Sequence, residues 1–370
     1  MTLFRLEPRD PVIFRDGRPF PAGAASARTL GFPWPQTIAG VARTLIGSDH
    51  EGRFIERDPK RLLAVEVRGP WLWKGDEPST MLFSAPRDVV WFKDGDDARV
   101  RRRLVPLPKE TDVETNLANL DLDLDLDLVG VDGDVGVVGV APKQKAGVGP
   151  AFWTWREIEE WLVAPKQETR APKDAFGLGP LEREERTHVA VDPLTSTARD
   201  GMLFSTTGLR FNTRKRERLA LGFACDDAKL TKRHGVVPIG GKRRIAFLQE
   251  CASAELPILP QKMAIDDAQK LRVVLLTPAI FKLGAVPKTI HGARVLAAVV
   301  PRPEVISGWD FVTRKPKPTR RMAPAGSVYW VEVPKGGVAR DWAKEVWMTN
   351  VSDEEQDRRD GFGLAVVGVA

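Results

Sequence analysis

Thiol, imidazole and phenol side chains are scarce in this chain. Its 370 residues include two cysteines, Cys225 and Cys251, four histidines and one tyrosine. Two isolated cysteines exclude a disulfide-stapled scaffold and suit a reducing compartment. His50, His188, His234 and His291 show no H-x-H, H-E-x-x-H or Cys/His spacing, so neither a metal nor another cofactor is expected. No apolar run approaches the roughly 20 residues that cross a bilayer. The stretch MTLFRLEPRDP has no basic region leading into an apolar segment, so it does not read as a secretory signal. The expected setting is cytoplasmic, with no membrane partner.

Positive charge is missing from one stretch only. From Glu110 to Asp134 there are nine acidic residues and no Lys or Arg; because the whole chain carries +6, the remainder carries +15. A body this basic, with its charges in runs, favours a polyanionic partner, RNA or DNA first. Within the acidic stretch DLDLDLDLV alternates with period two, which would set Asp121, Asp123, Asp125 and Asp127 on one extended face. Asp is depleted in strands, and like charges roughly 7 Å apart repel. The glycine and closing glutamate of an EF-hand loop are absent, so the tract reads as a solvated insert.

The rest reads as a mixed α+β chain. Thr2–Pro8 (TLFRLEP) is extended, and Ile38, Val41, Ala42 and Leu45 behind Pro35 predict a helix that ends at Gly47. Leu62 to Trp73 and Met81 to Phe92 read as strands, and FWTWREIEEWLVAP reads as a short helix. Further strands are THVAVD, GMLFSTTGLRF, RLALGFA, IGGKRRIAFLQE, RVVLLT, ARVLAAVV, SVYWVEV and GLAVVGVA; VARDWAKEVWMT is helical and a polar loop follows it. The last third is close to β-x-β-β-α-β, a split βαβ or ferredoxin-like unit, and the earlier part reads as an interrupted second copy. The expected organisation is two ferredoxin-like (RRM-like) domains, at 1–255 and 256–370, with an insertion in the first at about 106–180. Both copies close on glycines entering an apolar strand, in IGGKRRIAFL and in DGFGLAVVGV.

Several constellations bear on binding. The segment GWDFVTRKPKPTRRMAPAGSVYWVEV sets Arg314, Lys315, Lys317, Arg320 and Arg321 on a proline-stiffened arm that runs into a strand. RDPVIFRDGRPF places Arg9, Arg15 and Arg18 around two prolines and Phe14 and Phe20, which suits phosphate contact and base stacking; a loop with its arginines paired to Asp10 and Asp16 is the alternative. Arg199 lies in a hydroxyl-rich connection between two strands. Arg43 on the first helix and Lys242, Arg243 and Arg244 in the first glycine loop complete the basic set. Gly361 and Gly363 flank Phe362; the motif follows a helix and opens a strand, the reverse of a dinucleotide fingerprint. These glycines either let amides approach a phosphate or merely connect helix to strand. His50 or His188 could serve a metal-free ribonuclease as general base.

FRDGRPF, GFPWPQTIAGVARTLIG, VDPLTSTARDGMLF, IGGKRRIAF, SGWDFVTRKPKPTRRMAPAGSVYWVE and GFGLAVVG occur in this order. Together they resemble the third subunit of the Cmr effector complex, the RAMP module of type III-B CRISPR systems. The resemblance spans the chain except about 106–180, and the Asp-Leu tract departs from it. It implies two ferredoxin-like RAMP domains, no catalytic residue and no metal, and binding of the repeat-derived 5′ tag of the crRNA. It also implies contacts with the large cyclase-bearing subunit and the backbone subunit, with target RNA nearby. The alternatives are a RAMP endoribonuclease that processes precursor crRNA, and a purely structural scaffold.

Because the Asp-Leu tract offers no core, deleting Asp121 to Leu128 is expected to leave yield, melting temperature and RNA affinity nearly unchanged. Loop-closure entropy changes by only about 0.6 kcal/mol per doubling of length. Loss of soluble protein on deletion would show that the leucines are buried.

Overall fold

A computed structural model describes residues 1–370 apart from 16–25, 28, 76–79, 95–97, 107–137, 140–145, 167, 173–174, 213–216, 242–243, 311–313 and 335–337. Arg18, Lys242, Arg243 and the Asp-Leu tract therefore lie outside the described residues.

Side chains alternate along Thr2–Pro8: Phe4 and Leu6 point to one face of the sheet, Leu3, Arg5 and Glu7 to the other. This strand sits inside a sheet of eight among the described residues, between Leu219–Cys225 and Ile245–Glu250. The four principal strands, Thr2–Pro8, Val67–Lys74, Leu219–Cys225 and Ile245–Glu250, lie in space as second, third, first, fourth. A sheet of six repeats this arrangement with Lys270–Leu275, Ala293–Val299, Val328–Glu332 and Leu364–Val369, again second, third, first, fourth. All these neighbours are antiparallel. The glycine loops singled out in the sequence occupy equivalent places, each entering the fourth strand of its sheet.

Among the described residues the helices are α1 (Pro35–Ile46), α2 (Pro59–Leu63), α3 (Trp155–Val163), α4 (Ala339–Val346) and α5 (Glu355–Arg359). The architecture is thus mixed α and β, with mostly antiparallel sheets and few helices. The helix α1 joins the first and second strands of the first sheet and α4 joins the third and fourth of the second. The complementary connections, 226–234 and 276–288, carry turns and bridges instead.

Two faces of the first sheet are used differently. Phe4, Leu6, Leu72, Leu221 and Phe223 pack with Ile38, Ala42 and Ile46 of α1. On the opposite face Leu3, Trp71 and Trp73 enter a core that continues through Leu271, Val273, Tyr329 and Val366 of the second sheet. One apolar core therefore spans both sheets.

Three sequence expectations change in detail. Leu62 belongs to α2, and the strand begins at Val67. Met81 to Phe92 is two strands in two sheets, Met81–Ser84 and Val89–Asp94, because the chain turns at Ala85–Asp88 to bring Asp88 inward. The polar loop after α4 contains α5.

The segment expected to be an insertion joins the core from Phe152 onward. Phe152–Thr154 pairs with Met81–Ser84 in the first sheet. Thr154 caps α3 by accepting from the Glu157 N–H (3.3 Å), half of a capping box. Trp153, Ile158, Trp161 and Leu162 are buried. The Arg101 guanidinium lies 4.9 Å from the Trp153 ring centre, 5.2 Å from Trp161 and 4.4 Å from Phe176, and donates to Glu157 at 3.1 Å. α3 then rests on the last strand at Gly368, where a Cβ would stand 3.0 Å from the Leu162 Cα.

At the centre of this junction lies an ion pair with no solvent exposure on either side chain, Asp88 with Arg272. Trp161 Nε1 donates to the other Asp88 oxygen (2.9 Å), and Arg272 donates to the carbonyls of Trp161 (2.7 Å) and Val369 (2.6 Å). Burial, and then the like charge of Arg272, push neighbouring Arg103 down to about 10, with Asp88 opposing; it keeps its charge at neutral pH.

Removing one member of such a pair strands the other. Asp88→Ala is expected to cost about 3–5 kcal/mol, read as a shift in the urea unfolding midpoint. Asp88→Leu with Arg272→Met should lose less than Asp88→Ala alone. Equal losses would show that the hydrogen bonds to Trp161 and Val369, not the charge, dominate.

Candidate nucleic-acid interface

The basic arm is a β-hairpin. Glu304–Ile306 pairs with Arg320–Met322, with Glu304 opposite Met322, Val305 opposite Arg321 and Ile306 opposite Arg320. Further out, Trp309 stands opposite Pro316 and Asp310 opposite Lys315. Alternation decides which cations are offered to solvent. Ile306 and Met322 face inward and join Trp34, Ile280 and Phe362 in a small apolar cluster. Arg320 shares that side and makes two bonds to Asp357, at 2.6 and 2.8 Å; this partner holds its guanidinium above its ordinary pKa. Arg321 lies on the outer side with Val305, and both are exposed; Arg314 and Lys315 are exposed as well, while Lys317 is half-buried.

The hairpin base is fixed to the start of α1. Trp34 Nε1 donates to Glu304 (3.0 Å), Gln36 to the Ser307 carbonyl (3.3 Å), Ser307 to the Lys317 carbonyl (3.0 Å), and the Lys317 N–H to Gly308 (2.8 Å). Beside it opens a cleft of about 930 Å3 between the chain segments of the two sheets, lined among others by Phe32, Trp34, Arg87, Arg302, Thr319 and Pro324. Enclosure in the cleft pushes Arg87 below its ordinary pKa, and Glu304 opposes this. These residues were not singled out from the sequence. FPWP was read only as a helix entry, although it concentrates two aromatics, and Arg302 stands between two prolines.

The other expected residues are spread over three further places. Arg15 is exposed at a groove of about 430 Å3 that α1 forms with Gly240 and Gly241; Arg244, in the same loop, stands 3.9 Å from Asp10. Arg199 lies on a ribbon of Arg183–Val191 with Ala198–Leu209 and pairs with Asp192 at 3.4 Å. On that ribbon His188 shares a hydrogen bond with Thr206 (2.8 Å) and stacks on Phe204. His50 is exposed in the turn beyond α1.

Two expectations are corrected by contacts inside the chain. Arg43 is a clamp: its guanidinium donates to Asp360, to the Leu63 and Val65 carbonyls of the segment after α2, and to Arg359, with the side chain 12% exposed. Gly361, Phe362 and Gly363 are buried, and their amides are used within the protein. The Gly361 N–H donates to Arg358, that of Phe362 to Asp357, and that of Gly363 to Pro278. Gly363 has φ +90, and a Cβ there would stand 2.8 Å from the Ser352 nitrogen; at Gly361 it would stand 2.8 Å from the Gly69 carbonyl. The glycines let backbone meet backbone, so these amides do not face a phosphate.

Gly363→Ala is accordingly expected to lower stability by at least about 1–3 kcal/mol, the usual cost of a strained backbone position, and to leave RNA affinity of the folded fraction unchanged. Urea unfolding and an RNA titration on one preparation check this. Weaker binding at unchanged stability would return the loop to the interface.

Among curated proteins none matches. The chain is similar, at 18% identity and a TM-score of 0.46 over 89% of this chain and 86% of the other, to a chain in the cryo-EM structure of type III-B Cmr-beta bound to cognate target RNA and AMPPnP. A second structure, of type III-B Cmr-beta bound to cognate target RNA, gives a TM-score of 0.45 at 18% identity, with 89% and 86% covered. A chain of the Csm3–Csm4 subcomplex of the type III-A CRISPR-Cas interference complex gives 0.29 at 11% identity, with 90% and 93% covered. Residues 4–370 match the model of the CRISPR-associated protein family Cas_Cmr3, and the chain belongs to that family.

Proposed function

We propose that this chain is a non-catalytic RNA-binding subunit of a type III-B CRISPR effector ribonucleoprotein, acting in the cytoplasm in defence against foreign nucleic acid. It holds the repeat-derived 5′ tag of the crRNA and joins the large cyclase-bearing subunit to the backbone filament. Family membership supports the setting. The observation that carries the RNA reading is the hairpin, which turns Arg314, Lys315 and Arg321 outward on a base fixed to α1. Anchored cations hold phosphates in register, which a tethered basic tail would not do. The adjoining cleft, with Phe32, Arg87 and Arg302, offers a stacking surface and positive charge to an unpaired RNA end.

The fold belongs to the same proposal. Two sheets with one strand order, each with one helical crossover connection, are read as two ferredoxin-like units of RAMP type. The shared order of the four principal strands supports this.

Replacing Arg314, Lys315 and Arg321 with Ala should weaken binding of a 5′-tagged crRNA and of unrelated single strands alike. The slope of log K against log salt should flatten by up to about 2, at roughly 0.7 per contact. Arg320→Ala should act differently, lowering stability by leaving Asp357 unpaired. An unchanged slope in the triple variant would sink the assignment. Metal-independent cleavage of repeat RNA that disappears in His50→Ala or His188→Ala would overturn the non-catalytic reading.

A further inference from the structure

The face of the first sheet that carries Leu3, Trp71 and Trp73 into the shared core remains open beyond it. There the alternate positions of two neighbouring strands bring Arg5 opposite Gln249 and Glu7 opposite Phe247, with Val236 opposite Phe247 on the edge strand Gly235–Pro238. Arg9, exposed just past the first strand, holds its guanidinium 5.8 Å from the Phe247 ring centre. Arg218 enters from the other side and donates to Glu7 at 3.4 Å, while Arg5 stands 3.7 Å from the same carboxylate. Together with Cys251 these residues line a hollow of about 400 Å3.

Three arginines and one carboxylate line this hollow, and a half-exposed aromatic ring lies among them, with exposed Val236 and Ile245 at its rim. A core position would not collect these charges. A solvated face would gain nothing from the ring. Bases stack on aromatic faces and on guanidinium planes while the backbone follows positive charge. The existing Arg9–Phe247 contact is already such a stack, with the cation where a base would lie.

We propose that this open part of the first sheet is a second contact site for single-stranded RNA. A base lies on the Phe247 ring, and Arg9 and Arg218 hold the phosphates on either side. Gln249, exposed next to the ring, supplies hydrogen-bonding groups to the base edge. The proposal rests on the RNA-binding reading above and adds a site distant in sequence from the hairpin.

The test titrates the full chain with a fluorescein-labelled eight-nucleotide oligoadenylate at several salt concentrations. Phe247→Ala should weaken binding about tenfold, within the range for loss of one stacked base, without changing the salt slope. Phe247→Trp should bind at least as well as the parent. Arg9→Ala should flatten the slope by about 0.7. If Phe247→Ala fails to fold, Phe247→Leu keeps the apolar bulk without the π face: weaker binding supports the site and parental binding overturns it. Parental affinity in both Phe247→Ala and Arg9→Ala, with weaker binding in the Arg314/Lys315/Arg321 variant, would overturn this inference alone and mark the patch as a protein surface. A parent chain that binds no RNA would overturn both readings.

Discussion

A carboxylate and a guanidinium without solvent exposure hold the two sheets of this protein together. Ions of this size lose several kcal/mol each on leaving water, so Asp88 and Arg272 are tolerable only because every neighbour answers them. Trp161 satisfies the carboxylate from one side, and the carbonyls of Trp161 and Val369 satisfy the guanidinium from the other. The four groups come from a turn in the first half, helix α3, the central strand of the second sheet and the last strand. An apolar junction could slide by a residue, whereas this one allows a single register. Around it Arg101 packs between Trp153, Trp161 and Phe176, so cations and indoles knit the seam that aliphatic side chains fill elsewhere.

The second set of cross-connections fixes the binding surface. Arg43 reaches from α1 to Asp360, and Arg320 reaches from the hairpin to Asp357. Both acids belong to the short stretch from α5 to its C-terminal end. This stretch thus holds the hairpin to one side and the first helix to the other, and the glycines after it let the chain pass under Gly69 and Ser352. Positive charge in this protein divides into two populations. Among the described residues, Arg43, Arg272 and Arg320 hold distant parts of the chain together, whereas Arg314, Lys315 and Arg321 are left outward on the hairpin and Arg9 on the open sheet.

Much of the fold was legible because its signals are local. Pro35 with the spacing of Ile38, Val41 and Ala42 announces α1, and apolar runs such as RVVLL and LAVVGV announce central strands. The break between Met81–Ser84 and Val89–Asp94 was not legible, since its cause is an arginine far along the chain. Equally hidden was the division between Arg320 and Arg321. Adjacent residues of one type differ only in which side of a strand they occupy, and register is set by pairing with Glu304–Ile306. The glycines flanking Phe362 show the same limit: a glycine required by a phosphate and one required by a neighbouring backbone look alike in sequence. The cleft escaped notice because Phe32, Trp34, Arg87 and Arg302 converge only when both sheets are in place.

The order of closure has a consequence for synthesis on the ribosome. Strand Leu364–Val369 flanks Lys270–Leu275, supplies a carbonyl to Arg272 and lies under α3. When that strand is made, Trp153 and Trp161 have been translated for some 200 residues, and Asp88 for some 280, without the completed junction. At typical elongation rates of about 5–20 residues per second, that interval lasts on the order of ten seconds or longer. The nascent chain therefore waits with a tryptophan-lined face uncovered, a natural client surface for ribosome-associated chaperones.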